Sequence, residues 1–163
     1  MGANRWRDAP DWPIPGTRFT KYYLRSLGEA NTRYGNGRLD TDAPGAEEPP
    51  DHYRYDPANP VPSRGGHSCC TPDVAPVGPF DQADIEERAD VLVYSTPALQ
   101  QLIEITGPIS VTLFAASSAV DTDWTASGRA RYQPEQWHYP RTLPRLARAH
   151  LADHPRPDLQ VCH

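Results

Sequence analysis

Lysine is nearly missing from this 163-residue chain: Lys21 stands alone among 16 basic residues. The imbalance is the signature of a GC-rich coding sequence and carries no functional weight. Long apolar runs are missing too. No stretch of about 18 apolar residues occurs, so a membrane-crossing helix is not expected. The opening residues MGANRWRDAPDWP contain no apolar block of the kind a secretory signal needs, and Gly2 lacks the downstream Ser or Thr of a myristoylation site. A cytoplasmic location is the expectation. Cysteine is scarce and odd in number: Cys69 and Cys70 are adjacent and Cys162 is remote. That excludes a disulfide-held mini-protein, which needs even pairing at workable geometry. Charge of one sign never accumulates. The net charge of -5 comes from dispersed acids, which gives no basis for a nucleic-acid or membrane partner.

What the chain has instead is proline, 19 residues of it, with only 37% hydrophobic residues. Proline fixes φ and removes a backbone donor, so it stays out of helix interiors and central strands, and the regular elements here must be short. Residues 1–17 contain Trp6 and Trp12-Pro13-Ile14-Pro15, which should run extended and press two indoles onto another surface. Arg18 to Leu24 is aromatic and β-prone, and a turn at Ser26 to Gly28 ends it. Gly35-Asn36-Gly37 predicts a tight turn using positive φ, followed by a short strand over Arg38 to Thr41. Ala43 to Pro50 reads as a surface loop. His52 to Asp56 alternates as a strand, the proline-rich Pro57 to Phe80 is a long irregular connection, and Gln82 to Arg88 suits one helical turn.

The strongest pattern lies between Asp90 and Thr125. Val91 and Val93 alternate with Leu92 and Tyr94, apolar on both faces, which predicts a strand buried on two sides. Further on, Ile103 and Ile105, then Ile109, Val111, Leu113 and Ala115, recur at period two around a Gly107-Pro108 break. Such alternation predicts antiparallel sheet with one face on a core. Many short strands, long proline-rich loops and no convincing helix before residue 140 define an all-β fold, a β-sandwich or jelly roll.

A resemblance emerges from blocks in order. Asn4-Arg5-Trp6-Arg7-Asp8, Asp11-Trp12-Pro13, Pro15-Gly16-Thr17, Tyr22-Tyr23-Leu24 and Ala30-Asn31-Thr32 open it. Tyr55 to Ser63, Gly65-Gly66, Gly78 to Gln82, Asp90 to Thr96, Ile105 to Pro108 and Ser117 to Asp123 continue it. Together they resemble the C-terminal domain of the X-Pro dipeptidyl-peptidase/cocaine esterase (CocE/NonD) family of serine hydrolases, over roughly residues 4–126. The resemblance implies an incomplete jelly-roll-like, galactose-binding-like β-sandwich whose natural partner is an α/β-hydrolase domain. In that family the Ser, Asp and His of the triad belong to the hydrolase domain. This chain has no G-x-S-x-G, so no catalytic residue carries over and the chain alone is expected to be inactive. The family's later strands are not recognisable after Ala126. Residues 1–126 are therefore expected to form the partial domain. Residues 127–163 should be a tail outside the family, irregular or weakly helical over Leu143 to Leu151 and supplying no covering strands, as a frameshifted or truncated gene would give. Open strand edges then favour self-association.

Several local clusters have sharper readings, each set beside a plainer one. His67-Ser68-Cys69-Cys70 has the ligand types for zinc or a redox pair, but adjacent cysteines suit one tetrahedral ion poorly, and ordinary loop thiols are the preferred account. Asp121-Thr122-Asp123 offers carboxylates to calcium, yet no further acids follow at loop spacing, and turn capping is preferred. Ser117 or Ser118 with His67 and Asp121 would make a triad on paper only. Trp6 and Trp12 read as core or interface anchors before a carbohydrate platform. His138, His150, His154 and His163 in the tail share no metal-ligand spacing. No metal, cofactor or catalytic residue is assigned. The alternative to a hydrolase accessory domain is a free-standing jelly-roll module that binds carbohydrate or another ligand.

Overall fold

Among the described residues, eight short strands and one 3-10 turn make up the regular structure. The computed structural model describes residues 6–66, 73, 76–78, 80–101 and 103–128, and the backbone of 149–154 and 159–162. The strands are β1 (Tyr23–Arg25), β2 (Arg38–Asp40), β3 (Asp51–Tyr53), β4 (Leu92–Tyr94), β5 (Phe114–Ser117), β6 (Asp123–Ser127), β7 (Ala149–His154) and β8 (Leu159–Cys162), with the 3-10 turn at Ile85–Glu87. β1 and β2 form an antiparallel pair. The other six form two three-stranded sheets, in the orders β3-β8-β5 and β4-β7-β6, with every pairing antiparallel. The protein is all-β with open sheets, as its composition requires.

β4 organises the core. Leu92 and Tyr94 are fully buried in a cluster with Ala30, Tyr53 and Tyr55, against which Leu24, Leu39, Leu113 and Trp124 pack. Val91 and Val93 enter a second cluster with Ile85 and Val61. The alternation over residues 91–94 thus feeds two cores, as its doubly apolar pattern predicts. Each fully buried side chain of this size contributes about 1.5–3 kcal/mol of hydrophobic stabilisation. Trp124 meets Tyr53 edge-on, with ring centroids 6.3 Å apart and planes at 85°, the geometry the aromatic quadrupole favours.

The 29–39 segment runs along β4. Val93 N–H donates to the Ala30 carbonyl, Thr32 N–H to that of Val91, Ser95 N–H to that of Gly37, and Leu39 N–H to that of Ser95. The glycines of Gly35-Asn36-Gly37 serve a purpose other than the expected one. Neither has positive φ; a Cβ on Gly35 would lie 2.3 Å from the Glu29 carbonyl oxygen, and one on Gly37 would lie 2.2 Å from that of Val93. Close backbone approach, rather than a left-handed turn, excludes every other residue. The left-handed position falls on Thr32, at φ 64°. The strand after this turn forms as expected, as does the helical turn near residue 85.

Two expectations are corrected. Residues 103–113 form no strand despite the best period-two pattern in the sequence, and Ile103, Ile105, Ile109 and Val111 are exposed. Alternation shows which residues share a side; burial requires something to cover that side, and among the described residues only Leu113, at the end of the run, reaches the core. The tail also differs: rather than being irregular or weakly helical, it supplies β7 and β8, the inner strands of both larger sheets. Ladder bonds are made by backbone groups common to every residue, so a segment without an apolar period can still pair. Of the expected helix over 143–151, residues 149–151 lie in β7 and the rest is outside the described residues.

Candidate functional site

Two features draw polar and apolar chemistry together: a buried carboxylate in the core and an uncovered apolar surface. The carboxylate is Asp51, the first residue of β3, fully buried. Its Oδ2 accepts from the Ser26 hydroxyl at 2.7 Å and from the Tyr94 hydroxyl at 2.7 Å, and its Oδ1 accepts from the Ala30 N–H at 2.8 Å. The Ser26 hydroxyl accepts in turn from the Gly28 N–H at 2.9 Å. One side chain therefore ties β3, β4, the end of β1 and the 28–30 turn together. Burial first, and the adjacent Asp51 charge second, push the Tyr94 hydroxyl far above the ordinary phenol range. A carboxylate in this setting is retained by its donors, and its work is to fix how the strands meet. The sequence reading did not single out Asp51. Its one signal was an acid placed just before the alternating His52-Tyr53-Arg54-Tyr55 run.

Arg88 makes a second anchor. It holds both Asp90 oxygens, at 2.8 and 2.6 Å, and also reaches the Asn59 side-chain and main-chain oxygens at 3.1 and 2.7 Å. The Asp90 hydrogen bond raises the guanidinium pKa further. This clamp fastens the proline-rich connection to the start of the β4 segment.

The surface is built from the N-terminal arm and the 103–114 segment. Trp6 is fully exposed, and Trp12, Phe19, Ile105, Ile109, Val111 and Phe114 are all exposed, Ile109 at 76%. The arms are joined where the Arg7 guanidinium donates to both carboxylate oxygens of Glu104, a bond that leads the lowering of the Glu104 pKa. They also meet where Thr17 lies 3.7 Å from the space a Gly107 side chain would fill. The expectation that Trp6 and Trp12 press onto another surface is not met within this chain.

Of the paper triad, the serines and Asp121 lie among the described residues and His67 does not. Ser117 ends β5 and its hydroxyl accepts from the Ala119 N–H at 3.0 Å, capping the turn into β6, while Asp121 is exposed in that turn and Asp123 begins β6. His67, Ser68, Cys69 and Cys70 lie outside the described residues, as do His138 and His163. His150 and His154 occupy β7, in register with Val93 and with Asp123 respectively. Among the described residues, no group of three or more His, Cys, Asp or Glu side chains is placed to hold a metal ion, and no helix is long and apolar enough to cross a membrane.

The hydroxyls and carboxylates of Ser26, Asp51, Tyr94 and Ser117 are engaged in turns and in the core, and apolar side chains of the N-terminal arm and the 103–114 segment are exposed. The chain belongs to the X-Pro dipeptidyl-peptidase C-terminal non-catalytic domain family, which matches residues 1–127. It is 49% identical over 130 residues to cocaine esterase of Rhodococcus sp. (strain MB1 Bresler), covering 77% of this chain and 21% of that protein. It is 29% identical over 130 residues to a Mycobacterium bovis protein assigned as a serine esterase, covering 74% of this chain and 17% of the relative. The chain thus spans about a fifth of the length of the curated relatives it matches.

Proposed function

We propose that this chain is the non-catalytic C-terminal β domain of a serine hydrolase, of jelly-roll type, and that it packs against an α/β-hydrolase domain through the surface formed by the N-terminal arm and residues 103–114. The observation that carries the reading is the conjunction of family and surface. The matched domain is non-catalytic and makes up about a fifth of esterases that contain it. The apolar alternation at 103–114, which resembles a core face, is left uncovered. An exposed apolar surface of this kind marks an interaction site. Residues 1–126 supply the family part of the domain, and residues 127–163 lie outside the family while contributing its inner strands β7 and β8.

The test has two arms. The purified chain should give no turnover of p-nitrophenyl esters or Xaa-Pro amides. When the catalytic portion of the Rhodococcus relative is supplied separately, it should form a complex that Ile109→Asp with Phe114→Asp abolishes. Turnover by the chain alone, or no complex, contradicts the reading. Saturable glycan binding by the chain favours a free-standing binding module instead.

A further inference from the structure

In both larger sheets the inner strand comes from the tail. β7 lies between β4 and β6; β8 lies between β3 and β5. All four outer strands fall within the family match, residues 1–127, and both inner strands fall outside it. Because β7 is antiparallel to each of its neighbours, β4 and β6 run parallel to one another with a gap one strand wide between them, and β3 and β5 stand in the same relation. The matched region therefore presents two strand-wide slots, each lined on both sides by backbone donors and acceptors. β7 fills one slot and β8 the other.

We propose that the two slots are a strand-acceptor site and that the plug, β7 together with β8, exchanges between two copies of this chain to give a strand-swapped dimer. Three observations select the second copy as the occupant. The plug pairs through backbone ladders that are identical whether it arrives from its own chain or another: Leu92↔Leu151 to Tyr94↔Ala149 and Asp123↔His154 to Ser127↔His150 for β7, and Asp51↔Val161 to Tyr53↔Leu159 and Phe114↔Cys162 to Ser117↔Leu159 for β8. Residues 129–148 join the plug to β6, a length that reaches on the order of 65 Å when extended, ample to cross to a neighbouring molecule. Withdrawing the plug leaves four strand edges, one on each of β3 to β6, unpaired, so an open copy accepts a strand wherever it finds one. Exchange of an identical element is a low-cost route to dimers, and the balance between closed and swapped forms is set by concentration.

The register supplies the test in the full-length chain. Register partners in an antiparallel pair lie about 4.5–5.5 Å apart, within disulfide reach. Native Cys162 is in register with Phe114. One copy carries C69S and C70S and keeps Cys162; the other carries C69S, C70S, C162S and F114C. The two are unfolded, mixed, refolded and oxidised. An inter-chain disulfide is expected, its early yield rising about tenfold for a tenfold rise in protein concentration. A second pair reports on β7 in cysteine-free copies (C69S, C70S, C162S), with T125C on one and A152C on the other, again in register. Linkage in both pairs supports exchange of the plug. Three results overturn it: disulfides only within a chain that carries both partners, disulfides neither within nor between chains, or equal linkage when T112C replaces F114C, which would reveal association without register.

Discussion

Residues 91–94 and residues 103–114 carry the same kind of apolar signal and meet opposite fates. In the first, both faces are apolar over four residues, and all four side chains are buried in two separate clusters. In the second, a cleaner alternation leaves Ile105, Ile109 and Phe114 in solvent. The difference is a polar anchor. The first segment is fixed by Tyr94 on Asp51 and roofed by backbone bonds from residues 29–39; the second is held at its start by one exposed ion pair, Arg7 with Glu104. Apolar pattern specifies which residues want cover, and polar geometry decides which of them receive it from the same chain.

The comparison breaks most severely at Asp51. Asp51→Ala removes the carboxylate that three donors share inside the core, and a loss of about 3–5 kcal/mol is expected, enough to abolish the cooperative urea transition. Tyr94→Phe keeps the ring and removes one donor, so a loss of about 1–2 kcal/mol is expected at neutral pH. The same residue sets an alkaline limit. The folded state raises the Tyr94 pKa, so its contribution is complete below the unfolded value of about 10 and is lost as pH rises above it. Urea midpoints of the native chain should fall above that pH by up to about 1.4 kcal/mol per pH unit from this group, and Tyr94→Phe should flatten that slope.

A smaller effect of the opposite sign is expected at Thr32. Its left-handed backbone is imposed by the N–H bond to Val91 and by the approach of Gly35, and Thr32→Gly should stabilise by about 1 kcal/mol by relieving the strain. At the uncovered segment, Ile109→Ser should change the midpoint by less than about 0.5 kcal/mol while weakening association with a hydrolase domain. Smallest of all, Glu104→Gln should leave thermal stability of the isolated chain unchanged, since its bond to Arg7 is fully solvated. A large loss from Ile109→Ser would show that this surface is already core, and the contrast with residues 91–94 would collapse.

Much of the fold was legible because it is written locally. Proline content confined the elements to short strands, the turn before β2 and the helical turn near residue 85 stood where composition placed them, and the double apolar face of 91–94 named its own burial. The resemblance over residues 4–126 named the family that the match over residues 1–127 shows. What stayed hidden is non-local. Asp51 gains its meaning only when Ser26, Ala30 and Tyr94 converge on it, across separations of 21 to 43 residues. The glycines at 35 and 37 looked like turn formers because close approach to Glu29 and Val93 is invisible in a linear pattern. The strands of the tail were missed because a ladder uses backbone groups that every residue owns, so pairing left no trace in side-chain periodicity.

The placement of β7 and β8 also sets an order of events during synthesis. Asp51 must wait for Val161 and Leu92 for Leu151 before either sheet has its middle strand. On a ribosome the four outer strands are made before β7 and β8, the strands that complete both sheets. Contacts this distant in sequence close slowly, and until they do the nascent chain shows open edges to its neighbours. This protein is thus a late folder by topology: neither larger sheet can close until its latest-made strand, β7 or β8, has arrived.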